Sequence, residues 1–189
     1  MELKPRTPTS PGVKVHPRVP VSVMEGLFVR GLKVQGALVE KLIALGYDPR
    51  KPEVTYPIVT YQRCISAARY ELYPKASDEE AYRALGRKLA DGFLETLVGK
   101  VVGVAMPMIG PVRVVERIPR YVSIMGRPDM VVRITPAGDR GRRVHFGDTY
   151  NHPDFMAGNL EVALEKASAS PIIAVEERTS DGYRLFARW

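Results

Sequence analysis

Hydrophobic period along this chain first changes from helical to alternating at Gly126, and that change limits the folds open to it more than any other feature. Before Gly126, apolar residues recur at helical spacing, as in Ala81, Leu85, Leu89, Phe93 and Leu97, which predicts one buried face of a helix. After it, DMVVRITP and RRVHFGDTY alternate around the turn AGDRG. PIIAVEERT and YRLFARW alternate around Ser180, Asp181 and Gly182. Alternating runs joined by Gly- and Asp-rich turns predict two β-hairpins. Between them PDFMAGNLEVALEKA returns to helical spacing, with Pro153 suited to a first turn and Phe155, Leu160, Ala163, Leu164 and Ala167 available for burial. N-terminal helices followed by hairpin, helix and hairpin require an α+β fold with a four-stranded antiparallel sheet.

Local signals divide the helical part. VMEGLFVRGL, with Gly26 and Gly31, reads as a short strand or turn. QGALVEKLIALG predicts a small helix stopped at Gly46. A second helix starts at Pro57, buries Val59, Cys64, Ile65, Ala68 and Leu72, and ends at Pro74. Ser77 and Glu80 stand three apart, the spacing of a capping box, and Asp78, Glu79 and Glu80 suit the positive end of the helix dipole. Gly86 and Gly92 weaken that helix unless another backbone packs against them. VVGVAMPMIG is apolar enough to predict a buried short helix ending in a turn. From Pro111, a helix bent at Pro119 carries Val114, Val115, Ile118, Val122 and Met125 on one face and Arg113, Arg117 and Arg120 on the other. Residues 1–20, with prolines at 5, 8, 11, 17 and 20 among basic residues, predict a flexible arm. A single domain then runs over 21–189.

Length and composition narrow the class. At 189 residues and 45% hydrophobic content the chain supports one core of ordinary size. A lone cysteine excludes a disulfide framework and zinc sites built from paired thiolates, and it fits a reducing, cytoplasmic setting. No apolar run approaches the roughly 18 residues of a membrane span. The formal charge of +7 leans toward anionic partners.

Three constellations carry candidate chemistry. HFGDTYNHPD gathers His145, Asp148, Tyr150, His152 and Asp154, where an imidazole and a carboxylate could form an acid–base pair or a metal site. The competing reading is a strand-to-helix turn in which His152 or Asn151 caps a helix and Asp154 answers its dipole. Arg113, Arg117, Arg120, Arg127, Arg142 and Arg143 form a basic concentration whose guanidinium forks suit phosphate or carboxylate groups. Only Tyr121 is interleaved with the helical arginines, which disfavours a nucleic-acid platform against a solvated face. Met24, Met106, Met108, Met125, Met130 and Met156 fall on segments that converge on the core, where thioethers fill either a deformable pocket or ordinary gaps. Cys64, on an apolar helical face, reads as an inert buried thiol. The glycine-rich segments lack the phosphate-loop pattern.

The order of Gly26-Leu27-Phe28, Gly46-Tyr47-Asp48, Tyr56-Pro57, Tyr73-Pro74, Glu80-Ala81, Leu85-Gly86-Arg87, Thr96 with Gly99, Gly110-Pro111 and the stretch from Gly158 to Trp189 resembles a domain of unknown function found as many paralogues in myxobacteria. The layout is also similar to a broader superfamily of 4-vinyl reductase ligand-binding domains, haem nitric-oxide/oxygen-binding (H-NOX) domains and transport-particle subunits. That resemblance implies a small molecule, haem or acyl chain held between helices and sheet, and frequent dimers. The chain departs from the haem members: Pro111 to Met125 contains no histidine, and the propionate-clamping Tyr-x-Ser-x-Arg is replaced by Tyr150-Asn151-His152-Pro153-Asp154. It also lacks the paired cysteines of the 4-vinyl reductase type, so haem and zinc are both disfavoured. The expectation is a non-enzymatic sensor or adaptor that binds a small apolar ligand or a partner protein and has the capacity to form a homodimer. Phe93, Leu97, Met106, Met108, Ile118 and Met125 would line its pocket. The alternatives are a small enzyme using His145, Asp148, Tyr150 and His152, and an anion- or nucleic-acid-binding protein using Arg113 to Arg143.

Overall fold

The computed structural model describes residues 17–189. The expected arm lies outside the described residues as far as residue 16, but Arg18–Pro20 is a strand, β1. It pairs antiparallel with β2, Thr55–Pro57, and buries Val19. Prolines are tolerated here because a two-stranded ribbon has only edges. Residues 18–20, assigned to the arm from sequence, are therefore part of the fold.

The segment read as a strand or turn is helical. Val21–Met24 forms α1, and Glu25–Gly31 continues it as a π-helix closed by Leu32 N–H donating to Leu27 O at 2.8 Å. The cause is tertiary. A Cβ on Gly31 would lie 2.1 Å from Lys88 O and one on Gly92 would lie 2.0 Å from Gly26 O, so the widened turn presses its glycines into the neighbouring helix.

Helix α2 spans Ala37–Ala44 and is followed by Gly46 at φ +97°, a left-handed stop. Helix α3, Ile58–Leu72, buries Cys64, Ile65 and Ala68 as expected, whereas Val59 and Leu72 stand exposed. Helix α4, Asp78–Leu94, opens with the full capping box: Glu80 N–H donates to Ser77 Oγ and Ser77 N–H to Glu80 Oε2. Its stripe Ala81, Leu85, Leu89 and Phe93 is buried.

VVGVAMPMIG departs from expectation. It belongs to α5, Leu97–Glu116, which is 20 residues long, bends at Gly110 (φ 74°, ψ 170°) and leaves much of its apolar surface in solvent. Its length and hydropathy suffice to cross a membrane, whereas the expectation from sequence is no apolar run near that length and only a short helix here. Helix α6, Ile118–Ile124, takes Pro119 in its first turn, so the proline starts a helix and bends none.

The alternating half folds as expected. Strands β3 (Val131–Pro136), β4 (Gly141–Gly147), β5 (Ile172–Thr179) and β6 (Gly182–Arg188) form an antiparallel sheet in the order β3-β4-β6-β5. Helix α7, Pro153–Lys166, covers it. Val144, Phe146, Tyr183, Leu185 and Ala187 meet Ile118, Val122, Leu160 and Leu164 in one core, while a second core joins α1, α2, α3 and α4. Helices α4 and α7 separate these cores and touch at Gly86 and Gly158. Space remains where the two cores meet α5 and α6.

Candidate functional site

That space is a cavity of about 130 Å³ with almost wholly apolar walls. Four of its walls carry residues expected from sequence: Phe93 from α4, Met106 from α5, Ile118 from α6, and Met125 just beyond α6. Leu97 and Met108 do not reach it; each is 85% exposed. They lie on the solvent side of α5, whose opposite side presents Val102 and Met106 to the cavity. Apolar composition suggested burial, but it could not say which side of the helix faces inward. Val19, Ile58, Tyr61, Phe146, Phe155 and Leu160 add to its lining from both cores. Burial raises the Tyr61 hydroxyl far above its ordinary pKa.

Three polar residues reach the same space: Arg127, Asn151 and Asn159. Arg127 is paired with two carboxylates. Its Nε and Nη2 donate to Asp129 at 3.0 Å, its Nη1 donates to Asp148 at 3.2 Å, and its guanidinium lies 5.1 Å from the Tyr150 ring. Burial pulls its pKa down, yet these carboxylates outweigh that and hold it above its ordinary value. Asn151 Nδ2 donates to Asp148 at 2.7 Å and Asn159 Nδ2 to Phe155 O at 2.8 Å. The two amide oxygens have no protein donor among the described residues. The sequence marks Asn151 only as a candidate helix cap and leaves Asn159 unremarked; the available signal is Asn159, an uncharged polar residue within the apolar stripe of its helix.

The quartet His145, Asp148, Tyr150 and His152 is not assembled into a catalytic group. Asp148 is a buried hub that accepts from Arg127, the Tyr150 and Asn151 groups and Tyr183 Oη, and neither histidine bonds to it. His145, half-buried on β4, pairs in register with Arg133 and Arg184. His152 caps α7: its Nδ1 accepts the Asp154 N–H at 3.3 Å, and its ring stacks on Tyr82 at 4.6 Å. It borders a separate polar groove with Gln62, Arg63 and Ser66. Asp154 is held by Arg83 and Arg178. Burial pushes the Cys64 thiol up to about 12, leaving it un-ionised near neutral pH. Among the described residues no three His, Cys, Asp or Glu side chains cluster to hold a metal.

The arginine set also divides. Arg127 is buried and paired, Arg143 pairs with Glu176 at 3.0 Å, and Arg142 donates to Gly138 O and Gly141 O while lying over Trp189. Arg113, Arg117 and Arg120 are exposed and make no ion pair among the described residues.

Residues 18–189 match the model of a family described as "Protein of unknown function (DUF2378)". The chain belongs to that family. No curated relative matches this DUF2378 chain. Among solved structures it is similar to the Fe(II) unliganded H-NOX protein from K. algicida, at 12% identity and a TM-score of 0.65, over 90% of this chain and 95% of that one. It is also similar to an H-NOX protein from S. oneidensis in the Fe(II)NO ligation state, at 11% identity and a TM-score of 0.65, over 89% and 96%. At these identities the shared property is the fold.

One solved structure of similar fold is described by its haem redox potential and porphyrin distortion, and the lining of the DUF2378 cavity does not match a histidine- or cysteine-ligated haem. Among the described residues its walls contain no histidine or cysteine. Its ≈ 130 Å³ falls below the roughly 300–1,000 Å³ of pockets for drug-sized ligands, and the guanidinium beside it is already taken by two aspartates.

Proposed function

We propose that the DUF2378 chain is a non-enzymatic sensor or adaptor domain of the cytoplasm whose cavity takes a compact, uncharged, apolar molecule. One observation carries this reading: a partly open apolar space whose one lining cation among the described residues, Arg127, is neutralised by its own aspartates. A carboxylate or phosphate ligand would lose its hydration there without gaining a free cation, a cost of several kcal/mol. A neutral ligand loses little and gains contacts with Phe93, Met106, Ile118 and Met125. The cavity is close in size to an engineered 150 Å³ apolar cavity in another protein that stays dry and binds benzene. The Asn151 and Asn159 oxygens favour, within that class, a molecule carrying one hydroxyl or N–H donor. Occupancy would bear on α5 and α6 together, and these helices reach the surface, which gives the signal a way out to a partner.

The test is thermal unfolding with benzene, phenol, indole and benzoate, beside native mass spectrometry of the purified chain. Neutral compounds should raise the midpoint, with phenol above benzene; a ligand at a hundred times its Kd adds about 2.7 kcal/mol. A shift from benzoate equal to that from phenol, or no shift from any compound, overturns the reading.

A further inference from the structure

On the outer side of α5, Leu97 (85% exposed), Val101 (78%), Val104 (74%) and Met108 (85%) fall at helical spacing on one stripe, with Val98 (44%) beside it. A soluble surface seldom leaves so continuous an apolar stripe without a counterpart. The helix is not free to leave the protein and cross a bilayer. Its inner side buries Gly99, Met106, Val114 and Val115, and a Cβ on Gly99 would lie 1.8 Å from Phe93 O. The bend at Gly110 also breaks the straight run a span requires. The stripe is therefore presented flat, as the outer face of a helix fixed to the domain.

Charge decides what covers it. Lys100 borders the stripe, and Arg113, Arg117 and Arg120 follow it, all exposed and without ion pairs among the described residues. Between residues 95 and 120 these four cations face two acids, Glu95 and Glu116, which leaves an excess of two. A second copy seated about a two-fold axis would present the same excess twice and bring no new anion. An anionic lipid surface answers both features: the stripe enters the boundary between headgroups and acyl chains while the cations meet phosphate and carboxylate headgroups. We propose that α5 is a peripheral membrane-docking face that seats the domain on anionic bilayers. This surface is separate from the cavity, and its test requires no cavity ligand.

The experiment is co-sedimentation of the full chain with vesicles of phosphatidylcholine alone and of phosphatidylcholine and phosphatidylserine in equal parts. The mixed vesicles should carry the protein down and the neutral ones much less. The bound fraction should fall with salt as the screening length shortens from about 10 Å at 0.1 M to about 3 Å at 1 M. Val101→Asp with Val104→Asp alters exposed side chains only and should abolish binding while circular dichroism stays unchanged. Should that pair unfold the chain, Leu97→Ser with Met108→Ser repeats the test. Arg113→Gln, Arg117→Gln and Arg120→Gln together should remove the preference for phosphatidylserine. Absence of binding to mixed vesicles at low salt, or binding undiminished by the stripe variants, overturns the proposal. So does a wild-type dimer that the aspartates convert to monomer, which would assign the stripe to a second copy.

Discussion

Arg127 and Asp148 meet at 3.2 Å with side chains 6% and 0% exposed, and they join the turn after α6 to the end of β4 beneath the cavity. Asp129, the other partner of Arg127, is about half exposed and needs the pair less. Removing the guanidinium therefore falls hardest on Asp148, which keeps only neutral donors. Arg127→Met should destabilise the fold by about 3 kcal/mol, the lower part of the range for a broken buried pair, because Tyr150 N–H, Asn151 and Tyr183 still donate to the carboxylate. Arg127→Met combined with Asp148→Asn should cost less than the sum of the two single changes, since the double variant buries no uncompensated charge. Urea unfolding of the four proteins measures the difference; strict additivity would mean that the pair is not coupled.

This pair was hidden in the sequence, because the two residues are 21 positions apart and meet only after β3 and β4 have paired. What was legible was local. The Ser77–Glu80 box, the Gly46 stop and both hairpins depend on neighbours within a turn or on alternation, and all formed as read. What failed depended on distant backbone. The π-helical turn at Glu25–Gly31 exists because α4 offers Gly92, and no local propensity encodes that. In α5 the apolar content was visible but its orientation was not: Met106 lies on the cavity wall and Met108 in solvent, a difference that composition alone does not encode.

The α4–α7 seam is set by glycine. A Cβ on Gly86 would lie 1.9 Å from Phe155 O and 2.8 Å from Phe155 C, backbone atoms that cannot rotate aside. Gly86→Ala gains about 1 kcal/mol of helix propensity. It should still destabilise overall, because forcing the helices apart costs about 1–3 kcal/mol or more. Gly103→Ala is the control: the nearest atom is Leu94 Cδ2 at 3.1 Å, the flexible end of a side chain, so the propensity gain should survive. Thermal midpoints moving in opposite directions confirm the seam; a stabilised Gly86→Ala refutes it.

His152 gives the fold a pH dependence of definite sign. Burial, then Arg178, lowers its pKa below the ordinary 6.5, against the raising effect of Asp154, Glu79 and Asp78. The 3.5 Å approach of Nδ1 to Asp154 Oδ2 resembles an ion pair, but Nδ1 accepts the Asp154 N–H and so carries a lone pair, not a proton. As pH falls, the unfolded chain takes up this proton before the folded one. The contribution is complete above about pH 6.5 and is lost as pH drops through the folded-state value. His152→Asn retains a capping acceptor and should flatten this part of the stability profile. Urea titrations on either side of pH 6.5 test it, and an unchanged slope would remove His152 as its source.

The cavity can be tested by changing its volume in both directions. Ala163 lines it from α7, and Ala163→Leu places new apolar atoms in the empty space. A filled void gains about 25 cal/mol per Å² of newly buried apolar surface, so stability should hold or rise while the thermal shift from phenol disappears. Met106 is buried on the facing wall, and Met106→Ala removes atoms there at a cost of about 2–5 kcal/mol. A ligand fitting the enlarged space recovers part of that loss, so the midpoint shift from indole should exceed that in the wild type. The two responses diverge only if ligands enter this cavity. A phenol shift retained by Ala163→Leu would place binding elsewhere, with the polar groove beside His152 next to be tested.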